Sequence, residues 1–353
     1  MSKMSTDIKV GDRKVGLDAP CFIIAEIGVN HNGDIALAKK MISEAKACGA
    51  DAVKFQTFTA ERLVTQGTPK VRYQEDTTSA EESHYDMIKK LELSKESHVI
   101  LKKYCASAGI DFISTPYDVD SASFLNEIGL AVFKTASADI VDLPLHHYLA
   151  GTGKPVIMAT GMATMEEIET AIRIYNEAGN PSVALLHCVS SYPCSNESLN
   201  LRVISTLQTA FGKVIGFSDH TTGTMASVMA ITLGAKIIEK HFTLDKTLPG
   251  PDHKASAEPD EFRDLVAAIR QAETALGSPV KQCQDEEKQM ALVSRKSIVL
   301  RIPVRTGERI TKEHLALKRP GIGLMAKEIP VIIGKAIRRD LPANHVLSWN
   351  DLE

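Results

Sequence analysis

The sequence predicts a (β/α)8 barrel followed by a small, mostly β domain. Three observations point there. Short apolar or β-branched runs alternate with stretches of helical periodicity, giving eight strand–helix units. Gly49, Gly109, Gly129, Gly179 and Gly234 stand where several of those helices end, as a left-handed C-terminal residue requires. After Leu276 the texture changes to a polar stretch and then to short alternating runs broken by turn signals such as Thr306-Gly307-Glu308. Eight such units build a parallel sheet, and the barrel is its closed form. The competing fold is an open doubly wound sheet. That fold wants GxGxxG after the first strand, and Gly28 and Gly33 do not have this spacing.

The strand-like runs are 21–27, 52–56, 111–115, 132–135, 156–159, 183–188, 214–217 and 237–241. Helical periodicity covers 35–47, 95–108, 121–128, 143–149, 165–178, 201–210, 225–233 and 259–276, with 143–149 the least marked. Residues 58–92 read as one long polar loop, and loops of that length are usually functional. The expected organisation is a catalytic barrel over 1–280, a linker over 281–292 and the β domain over 293–353. Within the last, 297–302, the segment from Ile310, 331–333 and 346–348 read as short extended runs. Met158, Met162 and Trp349 are expected in the core, His146 and His147 on the surface, and Asp285-Glu286-Glu287-Lys288 as a solvated linker.

Composition narrows the function. Of the 353 residues, 24% are charged and 44% hydrophobic, which supplies a full core and excludes a disordered chain. A net charge of -3 gives no field for nucleic acid or an anionic membrane surface. No run reaches the ~18 apolar residues of a membrane span. Residues 1–20 are polar and lack an apolar segment before a small-residue cleavage site, so no secretory signal is expected. The six cysteines are scattered without a CxxC pair, and several sit in apolar runs as small hydrophobes. A cytoplasmic location is the expectation.

In a barrel, chemistry gathers at the C-terminal strand ends. Polar residues occupy that position on every predicted strand, and three subsets stand out. Lys54 and Lys134, with the hydroxyls of Thr115, Ser137, Thr160 and Ser218, form an anion-binding set. Either lysine alone reads equally well as the partner of a local carboxylate. His220 and His241 end neighbouring strands, where two imidazoles can hold one divalent ion or serve as hydrogen-bonded rim residues. Glu26, Asp139 and Asp252 supply acids for proton transfer or for a polyhydroxy substrate. Near the end, Lys318-Arg319-Pro320-Gly321 sets Arg319 on a stiffened turn, which by itself reads as a solvated arginine.

These residues fall in motifs that resemble the sialic acid synthases, which condense phosphoenolpyruvate with an N-acyl hexosamine. The matching stretches include Ala25-Glu26-Ile27-Gly28-Val29-Asn30-His31-Asn32-Gly33, Lys54-Phe55-Gln56-Thr57-Phe58 and Gly216-Phe217-Ser218-Asp219-His220. Glu239-Lys240-His241-Phe242-Thr243, Gly250-Pro251-Asp252-His253 and Lys318-Arg319-Pro320-Gly321 follow in order. The resemblance covers almost the whole chain. It implies an antifreeze-like (SAF) C-terminal domain and a domain-swapped homodimer. It implies Mn2+ or Mg2+ on His220 and His241, and Lys54 on the phosphoenolpyruvate carboxylate. Thr115, Lys134, Ser137, Thr160 and Ser218 would hold the phosphate. Glu26 would act near the aldehyde or the attacking water. Gln56, Tyr192 and Asp252 would line the sugar site, and Arg319 would reach the N-acyl group from the other subunit.

Two departures from the family pattern stand out. Ser137-Ala138-Asp139 replaces a common Ser-Gly-Glu, shortening the sugar-side acid by one methylene, and Ser190 replaces an asparagine beside the phosphate. The acceptor favoured at this level is N-acetylmannosamine, making an N-acetylneuraminate synthase. A diacetamido-trideoxy hexose, making an N,N'-diacetyllegionaminate synthase, is the alternative. Two rival functions are a lysine Schiff-base aldolase using Lys134 or Lys54 and a non-catalytic sugar-binding barrel.

Overall fold

The computed structural model describes residues 7–75, 77–79 and 81–353. Its contacts divide the chain into two units, Met1–Gly277 and Ser278–Glu353. The first opens with a hairpin, β1 (Ile8–Val10) and β2 (Arg13–Val15). Eight strands follow: β3 (Phe22–Gly28), β4 (Ala52–Thr57), β5 (Asp111–Pro116), β6 (Phe133–Thr135), β7 (Val156–Ala159), β8 (Val183–Cys188), β9 (Val214–Asp219) and β10 (Ile237–His241). They hydrogen-bond in the order β5-β4-β3-β10-β9-β8-β7-β6, with every pair parallel. β5 and β6 lie side by side at the seam. The sheet is a nearly closed eight-stranded barrel, and each predicted strand is present, its ends displaced by at most two residues.

The eight barrel helices are Ile35–Ala47, Lys95–Ala108, Val119–Glu127, Leu143–Gly151, Met165–Glu177, Val203–Phe211, Met225–Thr232 and Pro259–Leu276. Local chemistry fixes their ends. Asp34, Ser94 and Asp118 each accept a backbone N–H of the first turn, and Thr164 and Glu167 form a reciprocal cap. Gly109 closes its helix at φ 67°, a conformation that carries a steric penalty for a residue with Cβ. In Met165–Glu177 the buried Ile168, Ala171, Ile172 and Tyr175 recur at i, i+3, i+4 and i+7 and face the strands.

The interior follows from strand periodicity. Phe22, Ile24, Ala52, Ile113, Val132, Ile157, Ala184, Leu186, Val214 and Ile237 pack together at the N-terminal half of the barrel, with Ile8, Val10 and Val15 of the hairpin among them. The hairpin therefore plugs that end. Two residues further along the same alternation stand Glu26, Lys54, Thr115, Lys134 and Glu239, and on β9, past Gly216, Ser218, all buried. Intervening residues such as Ile23, Val53, Phe133, Met158 and Phe217 pack outward in the core shared with the helices.

Several expectations are corrected. Residues 58–92 are not one loop but carry the short helices Ala60–Leu63, Arg72–Glu75 and His84–Lys90. Their apolar side lies with a small cluster of Val29, Phe58, Met87 and Leu91. His146 is fully buried and bonded through Nδ1 to the Tyr175 hydroxyl at 2.9 Å, while His147 is exposed. Met162 is 71% exposed and Trp349 48%. Met162 has φ 63°, on the turn leaving β7.

In the second unit, the helix Lys288–Ser294 begins within the stretch read as linker and runs two residues past it. β11 (Ser297–Leu300) pairs antiparallel with β12 (Leu315–Lys318). Single bridges such as Val304 to Leu341 and Ile337 to Leu352 extend the pattern. Ile298, Leu300, Ile310, Leu324, Leu341 and Leu347 are among its core residues. The run 331–333, expected as extended, instead ends the short helix Ile329–Ile332, whose first turn holds Pro330.

Asp351 anchors the end of this unit, accepting from Ser348, Arg339 and His345. Burial alone would raise its carboxyl, but these donors outweigh burial and hold it at about 2. The folded carboxyl titrates below the unfolded one. Its contribution of about 2 kcal/mol is complete above pH ~4 and disappears as pH falls through ~2. Asp351→Asn is expected to destabilise this unit by that amount at pH 7 and to match the parent near pH 2. The single tryptophan, Trp349, lies in this unit and gives the unfolding signal.

Candidate functional site

A cavity of about 770 Å3 opens at the C-terminal ends of the barrel strands. Its floor is an alternating row of buried charges. Glu26 on β3 and Lys54 on β4 are register partners, and Lys54 Nζ lies 2.8 Å from Glu26 Oε2. The same Nζ is 4.0 Å from Glu239 on β10, which is 3.7 Å from Lys134 on β6. Lys54 donates to Thr115 Oγ1 at 3.1 Å, Lys134 to the Thr135 carbonyl at 2.9 Å and Ser218 to Glu239 at 3.1 Å. Among the described residues Oε2 of both Glu26 and Glu239 has no hydrogen-bond partner, so the short Glu26–Lys54 contact is an ion pair rather than an aligned hydrogen bond.

The protonation states follow from burial and neighbours. Burial raises Glu26 to about 7 against the pull of Lys54, which suits a carboxyl that takes or gives a proton near neutrality. Burial pulls Lys54 down, but Glu239 and Glu26 reverse the effect and leave it raised. Lys134 is lowered, by burial and by Lys54, with Glu239 opposing. Glu239 is held low by Lys134 and Lys54 in spite of burial.

Beside the lysines is a small cradle. Ser137 Oγ accepts the Gly161 N–H at 3.0 Å and lies 3.0 Å from Cys188 Sγ. A Cβ at Gly161 would come within 2.5 Å of Ser190 Oγ and 2.8 Å of Ser137 Oγ. The absent side chain is what leaves the two hydroxyls facing one space. Thr160, expected in this set, is outside the cavity lining and gives its hydroxyl to the Leu186 carbonyl at 2.9 Å.

His220 and His241 meet on the next side, with ring centroids 5.7 Å apart. Val189 accepts at 2.8 Å from His220 Nδ1, which leaves Nε2 as the lone-pair nitrogen, 3.4 Å from the Ser218 hydroxyl. His241 Nδ1 is buried without a partner and 4.0 Å from Asp252 Oδ2. Burial lowers both imidazoles, so both are neutral with lone pairs available. No group of three or more His, Cys, Asp or Glu converges as a metal set among the described residues. Two neutral imidazoles, one with an orphaned buried nitrogen, fit a divalent ion that takes its other ligands from water or substrate.

The outer wall carries Tyr192, 4.2 Å from the His220 ring, and Gln56, which donates to Glu26 at 3.2 Å. Asp252 is raised to about 6 by burial against the pull of Lys54, and Tyr73 lines the cavity with it. Tyr73 also packs on Tyr192 at 5.2 Å. Val29, Phe58, Leu63, Val71, Ile88 and Leu91 also line the cavity, interspersed with Arg72, Gln74 and His84. Asp139 is not in the lining, and its Oδ2 is buried without a partner. Arg319 belongs to the second unit.

Sequence reasoning missed Tyr73 and the central place of Glu239. Glu239 was recoverable from alternation, two residues after the inward Ile237 on β10. Tyr73 had no local signal, because a four-residue helix in a polar stretch shows no period.

The comparisons agree with this architecture. The sequence pattern of the NeuB family matches residues 41–281, and that of the SAF domain matches 295–353. The N,N'-diacetyllegionaminic acid synthase of Legionella pneumophila is 43% identical over 97% of this chain and 98% of its own. The human N-acetylneuraminate-9-phosphate synthase is 39% identical over 87% of this chain and 85% of its own. The crystal structure of N-acetylneuraminic acid synthetase from Leptospira borgpetersenii, in complex with citrate, superposes with a TM-score of 0.72 at 38% identity, covering 80% of this chain and 94% of that one. Motifs, barrel, cavity and relatives coincide, and the chain belongs to the NeuB family of sialic acid synthases, with a C-terminal SAF domain.

Proposed function

We propose that this protein condenses phosphoenolpyruvate with an N-acyl hexosamine, giving a nine-carbon 2-keto sugar acid and phosphate. The observation that carries this reading is the union, in one cavity, of the Lys54–Lys134 floor and the Ser137–Ser190 cradle at Gly161 with the adjacent imidazoles of His220 and His241. Lysines and hydroxyls suit a carboxylate and a phosphate on one small molecule. A divalent ion held by His220 and His241 would supply Lewis-acid polarisation of the sugar aldehyde.

The chain's own residues do the rest. Lys54 holds the carboxylate, and Thr115, Lys134, Ser137, Ser190 and Ser218 hold the phosphate. Thr160 joins them only by releasing the Leu186 carbonyl. This fixes carbon 3 of phosphoenolpyruvate toward the sugar side. Carbon 3 forms the new bond to the aldehyde carbon, and water adds at carbon 2 before phosphate leaves. Glu26, poised near neutrality, moves the proton at the aldehyde oxygen or the entering water. Gln56, Tyr192 and Asp252 orient the acceptor. Asp139, off the cavity wall, reaches the sugar only after a shift. In a domain-swapped dimer, Arg319 of a second copy would complete the acceptor site.

For the acceptor, the apolar residues of the lining favour a diacetamido-trideoxy hexose over N-acetylmannosamine. A deoxy carbon 6 leaves no hydroxyl to be desolvated against Val71, Ile88 and Leu91. The Legionella relative's similarity supports the same choice. The test is phosphate release from phosphoenolpyruvate with Mn2+ and each sugar, repeated with a chelator. Sugar-dependent, chelator-sensitive release is expected, faster with the diacetamido sugar. Faster release with N-acetylmannosamine reverses the acceptor choice, and no release with either sugar overturns the condensation.

Gly161→Ala is a sharper probe of the cradle. The added methyl would occupy the space between Ser137 and Ser190. It is expected to raise the KM for phosphoenolpyruvate about tenfold or more while leaving the sugar KM within about twofold, as read from initial rates.

A further inference from the structure

Behind the two imidazoles, on the helix-facing side of the barrel wall, sits a second ion pair that the cavity never touches. Asp219 on β9 and Lys240 on β10 are register partners, 3.0 Å apart through Oδ2 and Nζ, with side chains 0% and 5% exposed. They flank the imidazoles in sequence, as Asp219-His220 and Lys240-His241. Alternation turns the histidines toward the cavity and this pair away from it.

The bonds made by the pair converge on the turn that carries His220. Asp219 Oδ1 accepts the Thr221 N–H at 2.8 Å and the Thr221 hydroxyl at 2.7 Å. Oδ2 accepts from Ser227 on the following helix at 2.6 Å. Lys240, from the strand that carries His241, donates to the Thr221 carbonyl at 2.7 Å. Thr221 is thus held at its N–H, hydroxyl and carbonyl. From the other side, Cys194 N–H donates to the His220 carbonyl at 2.8 Å. The β9 turn and the β10 end cannot separate without breaking this buried network.

We propose that Asp219 and Lys240 are positioning residues whose ion pair sets the separation and aim of the His220 and His241 imidazoles. The inference rests on the reading that those two imidazoles hold the divalent ion. Supports of this kind act on ion affinity without touching the ion.

The test compares the full-length protein with Asp219→Asn, Lys240→Met and Ser227→Ala. Bound Mn2+ is measured from the electron paramagnetic resonance of the free ion without substrates. Phosphoenolpyruvate binding is measured by calorimetry without metal, and thermal midpoints are recorded alongside. Asp219→Asn and Lys240→Met are expected to weaken Mn2+ binding about 10-fold to 100-fold, with phosphoenolpyruvate affinity within about twofold of the parent. Ser227→Ala removes one outlying bond and keeps the charges, so it tests the network even if the charge variants do not fold; about threefold weaker Mn2+ binding is expected. Unchanged Mn2+ affinity, or parallel loss of Mn2+ and phosphoenolpyruvate affinity with the thermal midpoint, leaves the pair a stabilising contact and overturns the proposal. A parent protein that binds no Mn2+ overturns the metal reading itself.

Discussion

Replacing His241 by alanine is expected to lower turnover by about 10³-fold or more and to abolish Mn2+ retention, with phosphoenolpyruvate binding intact. The size follows from the role assigned to the ring. A side chain that holds a polarising ion acts on charge developing in the transition state, where loss of one such element is worth several kcal/mol. Stability should change little, because His241 Nδ1 has no hydrogen-bond partner to lose. His220→Ala should match it in activity but lose more stability, since its ring also donates to Val189. The paired measurements are steady-state rates at saturating Mn2+ and bound ion after dialysis. Full turnover in either variant after metal repletion would remove the histidines from the ligand role.

Lys134→Met is expected to raise the KM for phosphoenolpyruvate by about 10²-fold to 10³-fold. A buried charge-assisted contact to a phosphate is worth about 3–4 kcal/mol when its donor is removed. Lys134 is buried on β6 and faces Glu239 at 3.7 Å. Its loss leaves Glu239 with Lys54 as its one lysine partner, so the anion meets a floor that is more negative as well as one donor short. If binding is uniform along the reaction, KM rises with kcat unchanged, and a fall in kcat assigns Lys134 to the transition state. The same variant separates the aldolase rival. A Schiff-base nucleophile would be trapped by borohydride on the parent protein with a carbonyl substrate, and would lose all turnover on substitution.

The barrel was legible because its signals are local and repeated. Each strand is a short apolar run, and helices such as Met165–Glu177 carry both a cap and a 3.6-residue stripe. What was illegible was short or non-local. The strands Ile8–Val10 and Arg13–Val15 are three residues each, too short to show a period in a charged segment. The four-residue helices in 58–92 share that defect, which hid Tyr73. His146 was misplaced because a histidine beside another on a weakly periodic helix gives no sign of the Tyr175 hydroxyl that accommodates it. Met162 and Trp349 were misplaced by the rule that large apolar residues are inside, which runs in one direction only.

Within the site, residue identity was more legible than orientation. Lys54, Lys134, His220, His241 and Asp252 all line one cavity, as their strand-end positions implied. The sequence could not show that the Thr160 hydroxyl is taken by a backbone carbonyl, or that Asp139 turns off the wall. Those depend on one side-chain torsion each, set by neighbours distant in the chain.

The hairpin at the N-terminal end has a consequence for traffic. With Ile8, Val10 and Val15 wedged among the inward residues of that half, the barrel is a blind well rather than a tube. Anything that reaches the lysines at its floor passes the tyrosines at its mouth, and departs the same way. Two molecules that share the well must therefore queue, with the floor occupied before the space above it and emptied after.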